Sequence, residues 1–295
     1  MAFDPVASFG RVLTAMVTPF NEAGELDLGV AQELARYLVA NGSDGIVVSG
    51  TTGEGPVLTD PERIDLVAAV VEAVDAPVIA GTGTNDTAHS IEMTKQAERV
   101  GAAGALVVTP YYNRPSQAGI AAHLGAVCAS SSLPVVLYDI PVRTGRGATL
   151  DTVLAAAEAN ENLVAIKDAS GDVGRAAEIV ARSSDDFVLY SGDDALILPF
   201  LSVGGVGVIA VASHWAGPQM GEMIAAYLAG DVERARVLNE SLLASWRFET
   251  SEAAPNPIPA KAAMRALGFK VGQCRLPMGD ASPEVEAAAK AITAR

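Results

Sequence analysis

The chain lacks the features that would suit it to nucleic acid, to a membrane or to an oxidising compartment. Twenty lysines and arginines face 35 aspartates and glutamates, a formal net charge of −15. No basic cluster interrupts that excess, so no nucleic-acid partner and no anionic membrane surface is expected. There are only two cysteines, Cys128 and Cys274, far apart and outside any CxxC spacing. They read as reduced thiols of a cytoplasmic protein. The stretch Met1 to Gly10 has neither the basic nor the apolar region of a signal peptide. No apolar run reaches the roughly 18–20 residues of a membrane span. His89, His123 and His214 share no metal-type spacing, and no glycine loop leads into Gly-Lys-Ser/Thr. No metal, nucleotide or other cofactor is expected. Aromatics make up only 5% of a chain that is half hydrophobic, as suits many helix–strand contacts between small side chains.

Lysine is scarce too, and this directs attention to one position. Of five lysines, Lys95, Lys261, Lys270 and Lys290 fall in helical or C-terminal patterns where a solvated stem is ordinary. Lys167 instead follows the apolar run Leu163-Val164-Ala165-Ile166 and precedes the turn-forming Ala169-Ser170-Gly171. That pattern predicts a short buried strand with the lysine at its C-terminal end. An ammonium there is costly unless paired or neutralised. Two accounts are open. One is a buried ion pair with Asp168 or Asp193. The other is an amine of depressed pKa that attacks a carbonyl carbon to form a Schiff base.

Eight strand-like runs punctuate the chain: Val12–Pro19, Gly45–Gly50, Pro77–Gly81, Gly104–Pro110, Pro134–Pro141, Leu163–Ala169, Phe187–Gly192 and Gly205–Val211. Helical patterns separate them at Leu28–Asn41, Pro61–Val74, Thr87–Val100, Gln117–Ser130, Leu150–Ala159, Val173–Arg182 and Ala195–Ser202. Near-continuous apolar strands fit a parallel sheet covered by helices, and eight β-α units predict a closed (β/α)₈ TIM barrel. Beyond Val211 the pattern is helical only, near Gln219–Leu228, Val232–Arg247, Pro259–Leu267 and Pro283–Thr293. The expected division is a barrel over 1–230 and a C-terminal helical bundle over 231–295.

In such barrels the chemistry sits where strands enter the following loops. After the second strand comes Gly50-Thr51-Thr52-Gly53-Glu54-Gly55. Its glycines and hydroxyls suit a small carboxylate, although a plain glycine turn would look the same. The fifth strand ends in Tyr138-Asp139-Ile140-Pro141-Val142-Arg143. Tyr138 is a candidate proton carrier or a core tyrosine, and Arg143 a carboxylate fork or a rim ion pair. The fourth ends in Tyr111-Tyr112 between prolines, which also reads as a hydrophobic subunit contact.

Taken together, GTTGE (50–54), TPYYNRPSQ (109–117), YDIPVRTG (138–145), IKDASGD (166–172), SGDDA (191–195), GGVGVIAV (204–211), NPIP with Lys261 (256–261) and RLPM (275–278) resemble the dihydrodipicolinate synthase family of pyruvate-dependent class I aldolases. The resemblance implies that Lys167 forms a Schiff base with pyruvate and that Tyr138 moves protons. It implies that Thr51 links Tyr138 to Tyr112, supplied by a neighbouring subunit. Thr52 and the Ile209 main chain would hold the pyruvate carboxylate, and Arg143 that of L-aspartate-4-semialdehyde. It further implies a homotetramer built as a dimer of dimers, with no cofactor. Asp139 stands where many members have Asn, and Ser213-His214 is an uncommon ending of the eighth strand. Lysine-inhibited relatives carry His and Glu at positions that correspond here to Asp60, Arg63 and His89, so weak or absent lysine feedback is expected. Two alternatives share most of these residues: a sugar-acid aldolase such as N-acetylneuraminate lyase or a 2-keto-3-deoxy acid aldolase, and a non-catalytic barrel that senses a keto acid.

Overall fold

The computed structural model describes residues 3–294. Eight short strands, β1 (Val12–Ala15), β2 (Gly45–Val48), β3 (Val78–Gly81), β4 (Gly104–Val108), β5 (Val135–Asp139), β6 (Leu163–Asp168), β7 (Val188–Ser191) and β8 (Gly207–Ala210), pair in parallel with their neighbours. They close through β8 and β1 into a barrel. Every strand but β3, which ends with its run at Gly81, stops one to four residues before the end of its apolar run, because the last residues of the run turn away as loop backbone.

Alternation along the strands divides the side chains. Leu13, Val47, Ile79, Leu106, Val136, Tyr138, Ala165, Tyr190 and Ile209 form one interior cluster. Helix α1 (Pro5–Phe9), which the sequence pattern did not anticipate, adds Phe9 to that cluster. The Tyr190 hydroxyl donates to Gly10 O at 2.8 Å, tying α1 to the barrel interior.

The outer ring begins with α2 (Leu28–Ala40), α3 (Asp60–Ala73), α4 (Thr87–Arg99) and α5 (Gln117–Cys128). It continues with the short α6 (Pro141–Thr144), α7 (Leu150–Ala159), α8 (Val173–Arg182) and α9 (Ile197–Ser202). Side chains cap the free N–H groups at the starts of α2, α3, α4 and α5: Asp27, Thr59, Asp86 and Ser116, with a full Thr59–Glu62 capping box on α3. The next helix, α10 (Ser213–Leu228), starts six residues before the predicted Gln219. It runs through a kink at Ala216, two residues before Pro218, whose ring cannot continue the ladder.

α11 (Val232–Phe248), α12 (Ile258–Ala266) and α13 (Pro283–Thr293) complete the chain. Leu238, Leu242 and Trp246 of α11 share a core with Val12 and Val208 of the barrel. Ala260, Ala263 and Met264 of α12 share another with Leu34 and Ala35 of α2. His214 is fully buried, and its Nε2 accepts the Val17 N–H at 3.1 Å. Burial pushes its pKa down to about 4, so its ring is a neutral structural group.

Candidate active site

The register between β5 and β6 places Tyr138 opposite Lys167 and Asp139 opposite Asp168. Alternation then turns the first pair into the barrel and the second out toward the helices. Arg175, on the first turn of α8, meets the outward pair. One guanidinium nitrogen lies 2.7 Å from Asp139 Oδ2, and the other bonds Asp168 Oδ2. Asp168 is thus committed to Arg175 on the far side of the strand from the amine. Asp193 instead accepts the Ala195 N–H at 3.0 Å. Among the described residues no carboxylate forms an ion pair with Lys167, and the ion-pair account of this lysine falls away.

Lys167 is 5% exposed, and its Nζ stands 4.3 Å from the centre of the Tyr138 ring. Burial pulls its pKa down to about 8; the charge of Asp194 opposes the fall and that of Arg143 adds to it. At neutral pH roughly one amine in ten is then unprotonated and nucleophilic. Burial likewise lifts the Tyr138 phenol to about 12, with the Thr51 hydroxyl and Arg143 opposing the rise. The phenol therefore keeps its proton near neutral pH and passes it only to a strong base or through a relay.

The loop after β2 is bracketed by two strained residues, Ser49 (φ 58°) and Glu54 (φ 54°). It folds tightly enough that a Cβ on Gly55 or Gly81 would come within 2.4 or 2.5 Å of Ser49 O. Thr18 Oγ1 donates to Gly53 O at 2.5 Å and fixes the turn from the first loop. Thr52 is buried, and its hydroxyl oxygen accepts Nδ2 of Asn256 at 2.9 Å. With that oxygen engaged, the Thr52 hydroxyl hydrogen is left to donate.

Thr51, Tyr138, Arg143 and Tyr112 line one cavity of about 490 Å³. Among the described residues Arg143 has no carboxylate partner, and its Nη2 donates to Asn256 O at 3.3 Å. Tyr112 is 89% exposed at a strained φ of 71°. Lys167, Thr52 and Ile209 are not in the cavity wall. Ile209 is buried on β8, in register with Leu13. Among the described residues no cluster of three or more His, Cys, Asp or Glu side chains could hold a metal ion, and no helix is long and apolar enough to cross a membrane.

Several residues that shape the site were not singled out in the sequence. Lys261, expected to be solvated, is fully buried with its Nζ 2.6 Å from Glu54 Oε1. The signal was available: its neighbours Ile258, Ala260, Ala262, Ala263 and Met264 cover every face of the helix, which marks burial all round. For Arg175 the signal was subtler, since two adjacent strand-end acids facing outward call for a shared cation. Nothing local identifies Asn256 as the partner of Thr52. Asp139 also accepts the Ala148 N–H at 3.2 Å and anchors the loop that carries Arg143. At the positions considered for lysine feedback, His89 Nε2 lies 2.8 Å from Asp60 Oδ1, and Arg63 is buried with Nη2 donating to Gly55 O.

Comparison with known proteins places the chain by its sequence and by its fold. The 4-hydroxy-tetrahydrodipicolinate synthase of Moorella thermoacetica is 50% identical over 280 residues, 94% of either chain. The solved dihydrodipicolinate synthase of Cyanidioschyzon merolae, with lysine bound, matches with a TM-score of 0.93 at 46% identity over 96% of both chains. The chloride-inhibited dihydrodipicolinate synthase of Acinetobacter baumannii, complexed with pyruvate, matches at 0.90 and 34% identity, covering 95% of this chain and 96% of that one. The model of the dihydrodipicolinate synthetase family matches residues 8–295. The chain therefore belongs to the dihydrodipicolinate synthetase family.

Proposed function

We propose that this protein is a 4-hydroxy-tetrahydrodipicolinate synthase, a lyase of the class I aldolase type that condenses pyruvate with L-aspartate-4-semialdehyde. One observation carries the reading: a buried amine, without an ion-pair partner among the described residues and with its pKa drawn down to about 8, faces a protonated phenol across adjacent strands. Neutral Lys167 adds to C2 of pyruvate, and loss of water leaves an iminium. That cation withdraws electrons from the methyl group, so a proton leaves it near neutral pH and an enamine forms. Tyr138, relayed through Thr51 and a Tyr112 from a second copy, returns and removes protons at these steps. Thr52 and the Ile209 main chain hold the carboxylate. The enamine carbon attacks the aldehyde carbon, and the amino group of the second substrate then closes on C2 and expels the Lys167 amine. No bound cofactor enters this sequence. Cys128 and Cys274, both buried and unpaired, support a cytoplasmic setting.

Sodium borohydride with pyruvate tests the first half: a stable adduct on Lys167 is expected by mass spectrometry. Turnover with aspartate-4-semialdehyde, compared with N-acetylneuraminate and a deoxy sugar acid, tests the second. Turnover confined to a sugar acid would favour the aldolase alternative. Among the described residues Arg143 has no acidic partner, which supports a role toward an anionic substrate. Arg143→Ala should raise KM for the semialdehyde roughly 10- to 100-fold, the worth of a charge-assisted pair, with KM for pyruvate nearly unchanged.

The pH dependence has a defined sign. Lys167 reacts only when neutral, so kcat/KM for pyruvate should be flat above about pH 8. It should fall about tenfold per unit below that. A profile flat from pH 6 to 9 would exclude the assignment. We also infer that the exposed Tyr112 completes a second copy's site in a dimer, two of which form a tetramer. Lysine should inhibit weakly or not at all, because Asp60, Arg63 and His89 stand at the positions where lysine-inhibited relatives use His and Glu, and here they are engaged with one another or with Gly55 O. A sub-millimolar inhibition constant would contradict this.

A further inference from the structure

The Glu54–Lys261 pair lies next to the carboxylate loop, and the chemistry above uses neither residue. Glu54 is 3% exposed, and Lys261 is shut off from solvent. Lys261 Nζ lies 2.6 Å from Glu54 Oε1, donates to Gln273 O at 2.9 Å and stands 4.0 Å from the centre of the Phe20 ring. The second carboxylate oxygen of Glu54 accepts the Arg275 N–H at 2.8 Å. Arg275 in turn stacks on Phe20, 4.2 Å from the ring centre, and its side chain reaches Gly24 O and Glu62. Glu54 is therefore held from two directions by the C-terminal part of the chain.

Stability alone does not call for such a device. Two buried charges lose so much hydration that an apolar pair of equal volume would often stabilise the fold as well or better. A buried ion pair differs in direction: it permits few arrangements of the backbone that carries it. Here that backbone is Glu54 in the left-handed region, with its N–H donating to Thr51 O at 3.1 Å. The turn Thr51-Thr52-Gly53-Glu54 closes on itself, so the conformation of Glu54 sets where the Thr51 and Thr52 groups point. A residue that prefers φ < 0 leaves the strained region once nothing holds it.

We propose that Lys261, acting through Glu54, is a positioning residue for the carboxylate loop, holding Thr51 and Thr52 in the orientation that receives the keto-acid carboxylate. This rests on the function proposed above. It also gives the C-terminal helices a part in substrate binding beyond packing.

Lys261→Met alone would strand a buried carboxylate and confound folding with binding. The decisive variant is therefore Glu54→Gln/Lys261→Met, which removes both charges. It is expected to stay folded by circular dichroism and thermal melting. Its half-saturation for pyruvate should rise about tenfold with kcat within about threefold of the parent, the split expected for lost substrate binding. Borohydride should still trap the Lys167 adduct at saturating pyruvate. If the parent protein itself traps no pyruvate, the functional reading fails. If the parent traps pyruvate and the folded double variant keeps the parental half-saturation, the positioning role alone is overturned. Should the double variant unfold, Glu54→Gln decides, since its single amide oxygen can serve Lys261 or the Arg275 N–H but not both, so that one of the two tethers of the loop is lost. A severalfold rise in half-saturation supports the role, and no change refutes it.

Discussion

Lys167→Met should lower turnover by roughly four orders of magnitude or more while leaving the protein folded. The first half of this expectation follows from chemistry. Without the amine there is no imine, and pyruvate in solution is a poor carbon nucleophile. The residual binding elements, Thr52, Arg143 and the loop backbone, can hold substrates but cannot form the electron sink. The second half follows from the surroundings of the amine. Among the described residues Lys167 has no ion pair to lose, and burial already disfavours its charge, drawing its pKa down to about 8. An apolar side chain of similar length should be tolerated, and melting of the variant is expected at or slightly above the parental temperature. Stopped assays with both substrates, borohydride mass mapping and a thermal melt check all three. Turnover within tenfold of the parent, or an adduct formed elsewhere in the chain, would defeat the assignment of this residue.

The largest expected effect on stability belongs to Arg175, which touches none of the reacting atoms. Asp139 is 1% exposed and Asp168 is fully buried, and the same guanidinium bonds both. Arg175→Met leaves two adjacent buried carboxylates without their counter-ion, a loss of about 3–5 kcal/mol by comparison with other buried pairs. Urea unfolding with an unchanged slope would measure it. The effect has a pH signature. Burial already pushes Asp139 up to about 6 against the opposing charge of Arg175, and without that charge the carboxyl should rise further. A group whose folded pKa is raised contributes stability below its unfolded value of about 3.9 and loses it as pH climbs through the folded value. The deficit of the variant should therefore be widest at pH 7 and above, and narrow as pH falls through 6 toward 4. Activity should fall as well, because Tyr138 and Lys167 precede these aspartates on the same two strands. A loss below about 1 kcal/mol would mean that water compensates the acids.

The barrel was legible in the sequence because its signal is local. Each β-α unit repeats an apolar run and a helical stretch, several of them opened by a capping side chain, and these patterns survive without tertiary information. The errors fall where a local signal misleads. The helix expected from Gln219 begins instead at Ser213 and runs, kinked at Ala216, through Pro218. Lys261 looked solvated by virtue of its charge, and the apolar residues around it proved the better guide.

By itself the sequence determined the eight-unit barrel, the strand-end position of Lys167 and Tyr138, and the loop of threonines and glycines after β2. These depend on residue type and spacing along single segments. Only the tertiary structure decided what each side chain meets. It turned Asp168 outward to Arg175 and left the amine beside it unpaired, because strand register and alternation act across neighbouring strands. It brought Asn256 to Thr52 and Lys261 to Glu54 across some two hundred residues. Electrostatic partnership depends on distance in space and on burial, and no pattern along a single segment carries either.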